Sequence, residues 1–222
     1  MSGPAAWILV LAIAYLLGSV QFGVLIGRLV HGADIRTLGS GGTGATNVAR
    51  TTGMKFGLLA LALDAVKGAA VILIARLLFD GDSRYLEAIA GLTTLVGHAW
   101  PVYYGFRGGK GVTTGWAALL VMSPWAAVTT FSGLIVASTT RYISLGSIIG
   151  SGTAVVYLTI RVVVQGHDDE PILLYTGLGW LMVILRHRAN IRRLLRGEES
   201  KFGARVEAPA DVSADGASTQ GE

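Results

Sequence analysis

Four polar clusters interrupt a 222-residue chain that is otherwise strongly apolar. The first contains Asp34, Ile35 and Arg36, then Ser40, Gly41, Gly42, Thr43 and Gly44, then Thr46, Asn47 and Arg50. Glycines admit backbone conformations closed to other residues, and successive N–H groups can form a concave nest for an anion. Arg36 and Arg50 flank the glycines, so the segment suits a cluster of anionic oxygens. Gly39, Gly41 and Gly44 have the spacing of a dinucleotide fingerprint, but the strand, helix and later acidic residue of a soluble βαβ unit are absent. The second cluster is Arg107-Gly108-Gly109-Lys110-Gly111 ahead of an apolar run. Here glycine backbone can approach a phosphate while Lys110 supplies charge. It is not a Walker A box, because Tyr104 and Gly111 stand where Gly and Ser or Thr are required. The plainer alternatives are a flexible linker for the first cluster and a basic anchoring loop for the second.

The third cluster is a turn holding Arg141, Ser144 and Ser147. The two serines, three positions apart, can share a helix face or can simply cap and pack a helix. The fourth places His187, Asn190 and Arg193 at three-residue steps on one helical face, followed by Glu199. A polybasic helix lying on anionic lipid would explain its arginines but not His187 and Asn190. Asp64 and Lys67 lie within an apolar run, where charges pair or face a polar cavity, so an ion pair and a substrate contact are both open. No His and carboxylate combination has zinc-ligand spacing. The chain has no cysteine, which removes disulfides, thiolate metal sites and a cysteine nucleophile. Neither metal nor cofactor is expected.

The surrounding elements must belong to a membrane protein. Hydrophobic residues make up 52% and charged residues 14%, against about 25% charged in soluble domains. Residues 5–26 carry no charge and would form roughly 33 Å of helix, enough for a hydrocarbon core of about 30 Å. Further apolar runs cover 56–79, 86–97, 112–140, 142–160 and 172–185. If 112–140 turns at Ser123-Pro124, every basic loop falls on one side and the acidic loops (Asp80, Asp82, Glu87; Asp168, Asp169, Glu170) fall on the other. The sequence therefore predicts an all-α bundle of seven transmembrane segments, some short or re-entrant, with the N-terminus outside and the C-terminus cytoplasmic. The membrane domain spans 1–202, and 203–222 is a disordered tail by composition. Both glycine loops and the His187 segment meet at one face, so one ligand is a phosphate-bearing anion and a second is amphiphilic. That placement leaves an enzyme, a transporter and a lipid-binding module open.

The chain resembles the bacterial acyl-phosphate-dependent glycerol-3-phosphate acyltransferases, the PlsY family, from about Gly18 to Phe202. The resemblance rests on Gly18-Ser19 with Phe22-Gly23, Asp34-Ile35-Arg36, Gly39-Ser40-Gly41 with Gly44-Ala45-Thr46-Asn47-Val48, Leu63-Asp64-Ala65 with Lys67-Gly68, Gly97-His98 with Pro101, Gly108-Gly109-Lys110-Gly111-Val112, and His187, Asn190, Ile191, Arg193, Leu194, Gly197 and Glu199. Gly42, Thr43 and Glu198 depart from the family pattern. The resemblance implies attack of the 1-hydroxyl of sn-glycerol 3-phosphate on a long-chain acyl phosphate, giving lysophosphatidate and phosphate. It implies a multi-pass protein of the bacterial inner membrane whose site faces the cytoplasm, fed by an acyl-phosphate-producing enzyme. No nucleic acid and no obligate protein partner is expected. Ser40, Lys110, His187 and Asn190 are the implied catalytic residues. Arg36, Gly41, Thr46, Asn47, Arg50, Lys67, Gly108, Gly109, Gly111, Ser147, Arg193 and Glu199 are the implied substrate-binding residues. The second loop with Lys110 would clamp one phosphate and the first loop the other. His187 and Asn190 would position glycerol phosphate, with Glu199 orienting their segment.

Overall fold

The structure, a computed structural model, describes residues 3–79 and 84–203, without the side chains of Gln165 and His167. Asp80, Asp82, Arg205 and nearly all of the expected tail lie outside the described residues. Within them the chain is all helical: α1 Pro4–Ser19, α2 Phe22–His31, α3 Ala45–Thr52, α4 Met54–Leu78, α5 Arg84–Ala99, α6 Val112–Met122, α7 Pro124–Thr129, α8 Ser132–Thr140, α9 Ile143–Gln165, α10 Glu170–Arg186 and α11 Arg188–Leu195. Three stretches are long and apolar enough to cross a membrane: Pro4–His31, Met54–Leu78 and Ile143–Val164.

The first apolar run is not one continuous helix. It stops at Ser19 and resumes at Phe22, with Val20 and Gln21 extended. Neither proline nor glycine stands at the break. Instead, Lys67 from α4 donates to the freed carbonyls of Val20 (2.6 Å) and Gly18 (3.3 Å). Irregular backbone at membrane depth persists only where protein satisfies its polar groups. The 112–140 run breaks at Ser123-Pro124 as its sequence indicates, and a second time at Thr130-Phe131. The short fifth helix gains length from its flanks: sixteen residues from Arg84 to Ala99 give about 24 Å.

Glycines bring the helices together. A Cβ on Gly18 would meet the Thr94 carbonyl of α5, and one on Gly97 would meet the Tyr15 carbonyl of α1. Gly133 of α8 and Gly146 of α9 abut each other's carbonyls in the same way. Lipid tails are as apolar as leucine, so helix association in a bilayer relies on such close backbone packing. The outward faces carry exposed Ile8, Leu77, Ile135 and Val163, as a lipid-facing surface requires.

Candidate active site

The first glycine loop is shaped from within. Asp34 accepts from the Arg36 backbone N–H and guanidinium, and that hydrogen bond holds its carboxyl below the usual range. Arg36 also donates to the carbonyls of Tyr104 (2.8 Å) and Arg107 (3.1 Å), tying the first loop to the second. Asn47, on α3, is the loop's internal staple. Its Oδ1 accepts from the N–H and hydroxyl of Ser40, and its Nδ2 donates to the carbonyls of Ile35, Leu38 and Gly42. The Asn47 amide is therefore occupied by the loop, and Ser40 is aimed by it. Gly41 adopts a left-handed φ of 71°, which turns the chain over Arg36. The side chains of Thr46 and Arg50, at the start and end of α3, have no hydrogen bond or ion pair among the described residues.

The second loop is gripped on both sides. Gly108 N–H donates to the Ala99 carbonyl and Gly109 N–H to the His98 carbonyl. Arg186 donates to the carbonyls of Gly109 (3.0 Å) and Gly108 (2.7 Å). These two glycines thus spend their N–H groups on the fold, and their contribution is room: a Cβ on Gly109 would run into the His98 ring and Thr43. Gly111, at φ 77°, caps α6. Among the described residues, the N–H groups from Lys110 to the first turn of α6 have no protein acceptor, so the donors available to an anion begin at Lys110.

Lys110 reaches the fourth cluster. Its Nζ donates to Asn190 Oδ1 at 2.7 Å. Asn190 Nδ2 donates to Glu199 Oε1 at 2.6 Å. Ser144 and Arg193 donate to the same carboxylate at 2.7 Å each. Arg141 pins the following backbone by donating to the Phe202 carbonyl. Burial would raise the Glu199 carboxyl, but the bonds from Asn190, Ser144 and Arg193 outweigh it and hold it low. Burial lowers the Lys110 ammonium to about 8, against the pull of Glu199 and with help from Arg193, Arg186 and Arg50. His187 is buried at the joint between α10 and α11, and burial plus the Lys110 charge lower it to about 4. Its Nδ1 lies 2.8 Å from the Val183 carbonyl, which can only accept. The proton therefore sits on Nδ1, and Nε2 keeps its lone pair.

Not every expected residue joins this constellation. Lys67 is buried, paired with Asp64 at 2.9 Å, and further committed to Val20 and to His98 Nδ1 at 2.9 Å. Its three donors serve the fold. Ser147 donates to the Ile143 carbonyl in its own helix, and Ser144, its neighbour one turn earlier, makes the contact with Glu199. The sequence marks Ser144 only as the companion of Ser147 on a helix face, and it marks neither Arg186 nor Gln21 as a site residue. Arg186 sits in a basic run indistinguishable from an anchor, and Gln21 lies inside an apolar stretch with no motif around it.

Two cavities border the loops. A polar one of about 870 Å³ is lined by Arg28, Arg36, Arg107 and Arg186 with Gly41 and Gly108. An apolar one of about 350 Å³ begins at Gly111 and Thr113 and runs between α6, α8, α9 and α10, past Trp116, Phe131, Gly179 and Trp180.

Residues 8–197 match the family model described as glycerol-3-phosphate acyltransferase. The chain is 45% identical over 206 residues to a glycerol-3-phosphate acyltransferase of Anaeromyxobacter sp. strain Fw109-5, covering 91% of this chain and 99% of that one. It is 42% identical over 208 residues to one of Moorella thermoacetica, covering 90% and 99%. Its fold matches the crystal structure of PlsY, an integral membrane glycerol 3-phosphate acyltransferase, in the glycerol 3-phosphate form (TM-score 0.80, 39% identity, 90% and 96% covered). The lysophosphatidic acid form of PlsY matches with a TM-score of 0.78 at 37% identity, with the same coverage.

Proposed function

The chain belongs to the glycerol-3-phosphate acyltransferase family, and from that premise we propose that it moves a long-chain acyl group from acyl phosphate to the 1-hydroxyl of sn-glycerol 3-phosphate, releasing lysophosphatidate and inorganic phosphate. The observation that carries this reading is the join between the apolar cavity and the Lys110 loop. Gly111 and Thr113 line the cavity, and Lys110 precedes them with its ammonium on Asn190. An amphiphile with an apolar tail and a phosphate head fits that join, the tail among α6, α8, α9 and α10 and the head at Lys110.

The geometry supports catalysis by placement and charge. The hydroxyl oxygen bonds to the acyl carbonyl carbon, and the carbon–oxygen bond to phosphate breaks. The hydroxyl proton ends on a phosphate. Lys110 and the N–H groups at the start of α6 stabilise the charge on the donor, while Arg50, Thr46 and Ser40 on the first loop face the other phosphate. His187, with its low proton affinity, is a poor base. Its Nε2 lone pair serves better as the acceptor that aims the hydroxyl, and a phosphate, with a second pKa of about 6, takes the proton. Asn190 and Glu199 orient Lys110, and Arg193 orients Glu199.

In this reading the chain crosses the bacterial inner membrane seven times, N-terminus outside, with the glycine loops and the C-terminus cytoplasmic. The site then faces a soluble substrate and a donor delivered by an acyl-phosphate-forming enzyme. The test is direct. Purified protein receives glycerol 3-phosphate with palmitoyl phosphate or with palmitoyl-CoA, and lysophosphatidate is measured. Product from the acyl phosphate only, lost in Lys110→Ala, is expected; product from palmitoyl-CoA alone would overturn the donor assignment.

A further inference from the structure

Beneath the two glycine loops runs a buried polar chain that the reaction above does not use. Thr43, the first loop's inward-facing hydroxyl, donates to Gln21 Oε1 at 2.7 Å. Gln21 Nε2 donates to the His98 carbonyl at 3.1 Å. That same carbonyl accepts the Gly109 N–H at 3.0 Å, which fills both of its lone pairs. Thr43, Gln21 and His98 are all buried, Gln21 at 1% exposure. One amide thus spans from the first loop to the anchor of the second.

We propose that Gln21, its amide strung between the Thr43 hydroxyl and the His98 carbonyl, is a positioning residue that sets the gap between the two anion loops. The loops touch at this point: a Cβ built on Gly109 would come within 2.8 Å of Thr43 Oγ1. Arg36 joins the loops at their outer edge through Tyr104 and Arg107. Gln21 joins them at the base. Two ties at opposite ends fix an angle as well as a distance, which a single tie does not. The helix break explains how Gln21 comes to lie there. Lys67 holds the Val20 carbonyl, so residue 21 is extended and its side chain is turned away from the α1 axis toward the loops. Asp64 and His98 in turn hold Lys67. The Asp64–Lys67 pair thus supports, through the Val20 carbonyl, the extended backbone from which Gln21 projects.

This inference rests on the reading that each loop takes one phosphate-bearing substrate. Each half-site would survive loss of the tie, while their mutual placement would not. A displacement of about 1 Å between reacting groups can cost on the order of 100-fold in rate. Thr43→Val keeps the shape and removes the hydroxyl, Thr43→Ser keeps the hydroxyl, and Gln21→Leu removes both amide bonds. Initial rates over a matrix of both substrates, with unfolding temperature in detergent measured alongside, separate the possibilities. The expected result is a fall in kcat of roughly ten-fold for Gln21→Leu and a smaller fall for Thr43→Val. Both KM values should stay near wild type, and Thr43→Ser should retain activity. In the Gln21→Leu background, Thr43→Val should add little, because the two act through one chain. Wild-type kcat in folded Gln21→Leu, or independent losses in the double variant, would overturn the proposal. If Gln21→Leu fails to fold, Thr43→Val against Thr43→Ser decides: equal kcat for the two also overturns it. Absence of product from the wild-type protein would instead defeat the acyltransferase reading itself.

Discussion

Lys110 Nζ and Asn190 Oδ1 meet at 2.7 Å across 80 positions of sequence. The amide of Asn190 faces a cation on its oxygen side and a carboxylate, Glu199, on its nitrogen side. An amide so polarised has one orientation, and it directs the ammonium away from Glu199. Lysine has three N–H donors, so two remain for a ligand.

Asn190→Asp tests that separation of charge. An aspartate would pair directly with Lys110 and compete with any phosphate for it. KM for acyl phosphate should rise about ten-fold or more, as expected when a charge-assisted bond is diverted. Asn190→Ala should mainly reduce kcat, because the ammonium remains available but loses its aim. Substrate-dependence curves for the two variants should therefore differ in kind, and identical curves would remove the steering role.

Activity should fall on the alkaline side. Burial lowers Lys110 to about 8, so the free enzyme loses the ammonium as pH rises through that value. The log of kcat/KM for acyl phosphate should bend downward near pH 8. In Lys110→Arg the guanidinium stays charged throughout, and the bend should disappear even though the absolute rate drops. The stability sign is opposite. Because the folded value lies below 10.5, the cost of burying the charge is fully present below about pH 8 and is relieved as pH rises toward 10.5.

The Asp64 and Lys67 pair is buried at 4% and 5% exposure. Asp64→Ala leaves a buried ammonium without a counter-charge and should cost about 3–5 kcal/mol. Replacing both by Leu and Met should not recover all of it, since Lys67 also satisfies the Val20 carbonyl at the helix break. Unfolding in detergent would show this as an incomplete rescue; full rescue would mean that the break has another source of support.

Gly179 lines the apolar cavity, and a Cβ there only touches Leu95 at 3.5 Å. Gly179→Ala should be close to neutral. Gly179→Leu should fill part of the cavity and shift donor preference toward shorter acyl phosphates, read as a change in the ratio of kcat/KM between decanoyl and palmitoyl donors. An unchanged ratio would place the tail elsewhere.

Much of this was legible in residue order. The apolar runs and the break at Ser123-Pro124 follow from hydropathy and proline chemistry. Loop charge puts the Lys110 loop and the Asn190 segment on one face, whereas a role for Glu199 beside them comes only with the family resemblance. Contacts within the loops were not. Nothing in the string Gly108-Gly109 says that both N–H groups turn inward to Ala99 and His98, because the same glycines would serve an outward nest equally well. Asn47 reads as a ligand residue by type, and only the fold shows its amide consumed by Ile35, Leu38 and Gly42. The break at Val20-Gln21 has only a weak local signal, the Gly18-Ser19 pair before it, and the lysine that satisfies its freed carbonyl lies 47 positions away. Seven crossings and their direction rest on loop charge, and the acidic loop before α5 lies partly outside the described residues.

Leu61, Phe131 and Leu134 line the apolar cavity and are at the same time exposed on the outer surface, Leu134 at 64%. A donor held there would reach the enzyme from within the lipid phase, so its working concentration is a mole fraction in two dimensions. Adding inert lipid or detergent at constant total donor should then slow the reaction, whereas diluting protein and vesicles together in buffer should leave each enzyme's turnover untouched at fixed glycerol 3-phosphate.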